Sequence, residues 1–183
     1  ALRLLDLFAS VGAEAFDITH TNLQQEKRGF RPAQSLAQAR QSMPYLVPSA
    51  ARRQNNLIVR PRAGDGVTLV QLDDLVPDAL ARIAPAAFLI LRTSPRGQQA
   101  WVAVTNAPRG FAARLKEGTG ADKEASGATR VAGTANFKPA YAPNFPRIRI
   151  DAAQPGLRVT TQTLDAMGVV APARPVPAAS PSA

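Results

Sequence analysis

The chain has no cysteine and a single histidine, His20. These two scarcities remove disulfides, thiolate nucleophiles, Cys-based zinc sites and multi-His metal sites, and they leave a Ser-His-Asp triad without support. A metal ion bound by such a chain is a hard one held by oxygen, because carboxylates favour magnesium, calcium or manganese. No apolar run approaches the length needed to cross a bilayer, and the opening LRLLDLFASVG carries Asp6 without a basic start, which is unlike a signal peptide. The expectation is a cytoplasmic protein with no membrane contact. Acidic residues are few as well: 13 Asp and Glu face 22 Lys and Arg, a net charge of +9 with Arg supplying most of the excess. That balance suits a polyanionic partner, since guanidinium forks grip phosphate bidentately. A basic balance is also common in proteins that bind no nucleic acid.

What is there is enough for one core. At 183 residues and 45% hydrophobic content the chain reads as one domain over 1–170. Residues 171–183, with Pro172, Pro175, Pro177 and Pro181, read as an extended linker or tail. Leu2, Leu5, Leu7, Phe8 and Val11 recur at helical spacing and stop at Gly12. EAFDITHTNL alternates as a strand with one buried face, and KRGFRP reads as a turn. Residues 34–53 favour helix, broken near Pro44 and Pro48. NLIVRP and VTLVQLDD read as a hairpin joined by AGDG. PDALARIA follows with Pro77 at a first helical position. AFLILRT and QQAWVAVT form a second strand pair around SPRGQ. Residues 108–129 read as helix in two pieces, and the long Gly-, Pro- and Asn-rich run 130–146 precedes a short strand at RIRI. About five strands with interspersed helices predict an α+β fold with an antiparallel or mixed sheet flanked by helices.

Candidate chemistry begins at the strand end in VQLDDL. Asp73 and Asp74 together could hold a hard cation there, although the residues alone favour turn and helix-capping roles before Pro77. Neighbouring strand residues point to opposite faces, so both can ligate only where the strand ends, twists or bulges. Asp122 could complete an oxygen-rich cage for two metal ions, or cap a short helix. Arg130, Asn136 and Lys138 follow among glycines that let backbone approach a ligand. They could hold phosphate, or form a solvated loop; the absence of GxxxxGK[ST] excludes an ATPase phosphate loop. Trp101 and Phe137 could stack bases, Trp101 being the better core residue. Strand-borne Arg60 is the arginine best placed to point into a cleft, and His20 reads as a surface or hydrogen-bonding residue.

In combination, NLIVRPR, LVQLDDL, TSPRGQQAWVAV and GTGADKEASGATRVAGTANFKP resemble the RepB-like DNA primases of plasmids and integrated elements, a branch of the archaeo-eukaryotic primase superfamily. The resemblance spans about residues 14–150. It implies an RRM-like primase core, metal-dependent primer synthesis with Mg2+ or Mn2+, nucleoside triphosphates as substrates and single-stranded DNA as template. It further implies Asp73, Asp74 and Asp122 as catalytic metal ligands, with Thr93, Ser94, Gln99 and Trp101 beside the nucleotide. Arg130, Asn136 and Lys138 match positions that contact triphosphate or template, and Arg60 is added as a template candidate. A helicase or a helical initiation-site module is the implied protein partner. One departure is that the superfamily often places a His on the strand after the acids, and TSPRGQQAW has none. The alternative is a non-catalytic module that binds single-stranded DNA; a relaxase-like strand transferase lacks its three-His cluster.

Overall fold

The computed structural model describes residues 1–173. Its elements run α1 (Leu2–Ser10), β1 (Ala13–Thr21), β2 (Lys27–Ser35), α2 (Leu36–Arg52), β3 (Asn56–Ala63), β4 (Val67–Leu72) and α3 (Pro77–Ile83). They continue as β5 (Leu89–Arg92), β6 (Gln98–Thr105), α4 (Phe111–Thr119), β7 (Thr129–Arg130), β8 (Arg149–Ala153) and α5 (Thr161–Ala166). The strands divide into two antiparallel four-stranded sheets, ordered β2-β1-β3-β7 and β4-β6-β5-β8. The α+β expectation holds, with two sheets in place of one.

Alternation decides which faces are buried. Phe16, Ile18, Leu57 and Val59 of the first sheet join Leu89, Leu91, Trp101 and Ala103 of the second, together with α1 and α2, in one core. Phe8 of α1 anchors it, standing edge-on to Trp101 at 4.8 Å and to Phe88 at 5.6 Å between ring centroids. The other face of the second sheet, Val70, Leu72, Ile90, Ala100, Val102 and Val104, packs on α3, α4 and α5 in a second core. The second sheet is thus covered on both sides. The first sheet leaves the face of Asp17, Thr19, Ile58 and Arg60 to solvent and cleft.

Three local expectations change. KRGFRP lies inside the edge strand β2, because two residues of β2, Pro32 and Ala33, stand opposite the single residue Asp17 of β1. Such a bulge accommodates a proline on an edge. Ala33 takes φ +48, and its N–H, turned out of the ladder, donates to Asp17 Oδ1 at 2.8 Å. NLIVRP and VTLVQLDD are no hairpin: β3 pairs with β1 and β7, while β4 pairs with β6, so AGDG links two sheets. Helix α2 is unbroken across Pro44 and Pro48, which sit four apart on its exposed side where the carbonyls they leave unpaired can meet water. Of 108–129, α4 alone is helical, closed at Gly120. Gly118 is required there, since a Cβ would stand 2.4 Å from Val169 O.

No helix among the described residues is long and apolar enough to cross a membrane. The expected linker of 171–183 lies, apart from its first three residues, outside the described residues. Ala171 itself runs against α4, donating its N–H to Arg114 O at 3.0 Å and accepting from Arg114 Nε at 2.7 Å.

Candidate nucleotidyl-transfer site

Strand β4 pairs Gln71 with Trp101 and stops at Leu72, so its alternation carries Asp73 to the side of the sheet that faces the first core and the cleft beside it. Asp74 follows in the left-handed region at φ 54, which ends the strand and turns the chain toward α3. The Asp122 backbone N–H donates to Asp73 O at 3.0 Å, so the loop after α4 docks on the end of β4. The fold therefore brings the backbone of Asp122 to that of Asp73, 49 positions away in sequence, the difference between 73 and 122.

Burial holds the Asp73 carboxyl above the ordinary carboxylate range, and the charges of Asp74 and Asp122 add to that rise. The Asp74 N–H, donating to Asp73 Oδ1 at 3.0 Å, and the charge of Lys138 act the other way. Arg130 is near enough to Asp73 for their charges to interact: burial pulls the guanidinium below its usual range, while the charges of Asp73 and Tyr141 hold it up. A half-buried carboxylate crowded by like charge is stabilised by a cation, and the donors here are all oxygen, so in kind they suit a hard divalent ion. Among the described residues, however, no group of three or more His, Cys, Asp or Glu is placed to share one ion. One reason is local: Asp122 Oδ1 accepts the Glu124 N–H at 2.9 Å, which ties that carboxylate into its own loop.

The remaining candidates separate. Lys138 is exposed and near enough to Asp73 to act on its charge. Asn136 is buried, its Nδ2 donating to Thr93 O at 2.8 Å, and its Oδ1 has no partner. It fastens the 130–146 loop to the end of β5. Thr93 and Ser94 form the β5–β6 turn, with Ser94 Oγ accepting the Gly97 N–H at 2.7 Å. Ser94 also borders a basic pocket with Arg92, Arg147 and Arg149. Gln99 and Trp101 do not reach the surface: they are 3% and 0% exposed, and Trp101 Nε1 donates to Gln99 Oε1 at 2.8 Å. Neither can stack on or bond a nucleotide directly; they support β4 from beneath. Phe137 is likewise buried, against Phe145 at 4.9 Å. Arg60 is exposed on the open face of the first sheet.

Two positioning residues lack a sequence signal of their own. Asn56, fully buried at the start of β3, accepts at Oδ1 from Arg130 Nε and from the Phe137 N–H, both at 2.9 Å. Gln71 Nε2 donates to Ala128 O at 2.9 Å and Gln71 Oε1 accepts the Gly127 N–H at 2.8 Å. Between them they set the strand β7 and the loop that carries Arg130. The available hint was polarity at a strand position where apolar side chains are the rule.

No protein-family model matches the chain, and no curated protein matches it in sequence. Solved structures do match. The crystal structure of primase RepB' is similar over 91% of this chain, with a TM-score of 0.71 and 25% identity. The catalytic domain of that primase in complex with initiator DNA is similar to the same degree, over 93% of its length. The AEP domain of the cyanophage S-2L primase-polymerase shares the fold at a TM-score of 0.56 and 14% identity. The fold is that of a primase core. Within that class the chain has the form of a RepB-like primase domain, and it spans 62% of the length of the RepB' primase.

Proposed function

We propose that this domain is a metal-dependent, template-directed nucleotidyltransferase that makes primers on single-stranded DNA for a plasmid or mobile element, in the cytoplasm. The observation that carries the reading is the seating of Asp122 on Asp73, with Arg130 and Lys138 acting on the same carboxylate. Asp73, Asp74 and Asp122 are the residues to hold Mg2+ or Mn2+, which supplies neutralisation of phosphate charge and a lower pKa for the attacking hydroxyl. Arg130 and Lys138 place positive charge where a triphosphate meets the acids, binding it and stabilising charge on the leaving pyrophosphate. Asn136 holds their loop against Thr93, so the two cations keep a fixed position relative to the acids. In the transfer itself a 3′-oxygen bonds the α-phosphorus and gives its proton to water, while the bond from the α-phosphorus to the bridging oxygen of the β-phosphate breaks and pyrophosphate departs.

A second reading, a non-catalytic module for single-stranded DNA, is favoured by one observation: no three carboxylates are gathered around one point among the described residues. Incubating the protein with single-stranded template, Mg2+ or Mn2+ and labelled nucleotides separates the two, giving extended products or binding alone. Asp73→Ala and Asp122→Ala are each expected to abolish incorporation without unfolding the protein; Asp73→Ala leaves the melting temperature unchanged or slightly raised, since it relieves the crowding of a buried carboxylate, while Asp122→Ala lowers it slightly by losing the bond from the Glu124 N–H. A large fall in melting temperature on Asp73→Ala would make the acids structural and overturn the primary reading.

A further inference from the structure

The open face of the first sheet carries a continuous row of side chains from its free edge to the acids. Phe30 of β2 is paired with Thr19 of β1, Thr19 with Ile58 of β3, and Ile58 with Arg130 of β7. Directly paired residues project on the same face, so these four form one line across four strands. Three inter-strand gaps of about 4.8 Å make that line roughly 14 Å long. At its inner end is Arg130, hydrogen-bonded to Asn56 Oδ1 and near enough to Asp73 for their charges to interact. At its outer end is Phe30, 47% exposed on an edge strand and one of few large apolar side chains left open to solvent. Lys27 Nζ lies 3.8 Å from the centre of the Phe30 ring, and exposed Arg60 flanks the row on the other side. Phe30, Thr19, Ile58, Lys27 and Arg60, with Asp17, line a shallow depression of about 280 Å³.

We infer that this row is a stacking platform along which one strand of nucleic acid is led into the acid cluster, with Phe30 taking a base and Lys27 and Arg60 taking phosphates. An aromatic ring on a sheet face, bordered by cations, is the arrangement that binds single strands, because every base offers a flat face and every linkage a charge. The occupant is a single strand of DNA or RNA, for three reasons. The face is too basic for an apolar protein surface. Its aromatic stands exposed at the edge with Lys27 over one face of the ring, so a base can stack on the other. The row also ends at the groups assigned to the triphosphate. The inference rests on the proposed polymerising function for its direction, and on the sheet geometry alone for its binding role.

The test is made on the full chain with a fluorescently labelled oligodeoxythymidylate and with an oligonucleotide containing 2-aminopurine. Anisotropy should show Phe30→Ala binding roughly tenfold more weakly than the wild type. Phe30→Trp should recover the loss, and Tyr45→Ala, which removes a still more exposed aromatic from α2, should bind like the wild type. The 2-aminopurine emission should be quenched on binding by the wild type and by Phe30→Trp, and far less by Phe30→Ala. An RNA oligonucleotide run in parallel tells the two sources of strand apart. Equal affinity and equal quenching for Phe30→Ala overturn the platform, as does a wild type that binds no single strand. Nucleotide incorporation is measured separately on the same samples. Binding through Phe30 without incorporation leaves the platform standing and removes the polymerase reading; incorporation with binding indifferent to Phe30 does the reverse.

Discussion

At the scale of single residues, the site depends on polar side chains that act through others. Asn56 is fully buried, and its Oδ1 alone accepts both Arg130 Nε and the Phe137 N–H. Asn56→Ala strands two buried donors, which costs about 1–3 kcal/mol and lowers the melting temperature by several degrees in a chain of this size. Thermal unfolding followed by circular dichroism reads this directly. Asn56→Asp, which keeps the acceptor, should lose much less. A different dependence belongs to Asp17. Burial alone would raise its carboxyl, but the paired hydrogen bonds from Arg62, at 2.9 Å each, with the Ala33 N–H and the charges of Arg62 and Arg60, hold it below its ordinary value of 3.8. A carboxylate with a depressed folded pKa contributes stability that is present above the unfolded pKa and is lost as pH falls through the folded one. Urea unfolding of wild type and Asp17→Asn should therefore differ at pH 6 and draw together as the pH falls below 3.8. A gap that stays constant across that range would mean the pair contributes nothing through its charge.

Among the elements, those whose signals are local were legible and those that depend on partners were not. The β5–β6 hairpin was read correctly because two apolar runs flank SPRGQ, and α3 because Pro77 marks its first position. The supposed hairpin of β3 and β4 failed for a physical reason. A short Gly-containing link looks the same whether it returns a strand beside its predecessor or passes it to another sheet, and each strand here is buried by partners far away in sequence. Strand β2 was hidden by Gly29 and Pro32, whose tolerance rests on an edge position and on Asp17 capturing the Ala33 N–H. The acids came from resemblance, since spacing cannot bring Asp122 to Asp73; Asn56 and Gln71 stayed hidden because a buried polar residue shows its partners only in three dimensions. Helix α2 offers an element-scale test. Pro48 sits on its exposed side and cannot donate to the Pro44 carbonyl four residues back. Pro48→Ala restores that hydrogen bond, against a gain in unfolded-state freedom, and should stabilise the protein by about 1–2 kcal/mol. A denaturant midpoint that falls instead would show that the ring's packing matters more than the missing donor.

For the whole molecule, the question is whether a net charge of +9 grips a strand everywhere or along one path. A chain this basic attracts polyanions over its entire surface, and diffuse attraction alone would give a steep loss of affinity with salt. The open face of the first sheet gathers only a few of these charges, Lys27, Arg60 and Arg130, while Arg62 is occupied by Asp17 and Arg28 by Glu26. Binding along that face releases counterions from about three phosphates, which for single strands corresponds to a slope of about −2 in log K against log salt. Lys27→Ala and Arg60→Ala should each flatten the slope by about 0.7, whereas removing Arg109, beside α4 on the second sheet, should leave it unchanged. Anisotropy titrations of one oligonucleotide between low and moderate salt measure all of these values. Stacking on Phe30 carries no counterions, so Phe30→Ala should lower affinity by the same factor at every salt concentration and keep the slope of the wild type. A slope much steeper than −2 that no single one of these substitutions changes would mean the strand is held by the general field of the protein, and the path across the sheet would have to be given up.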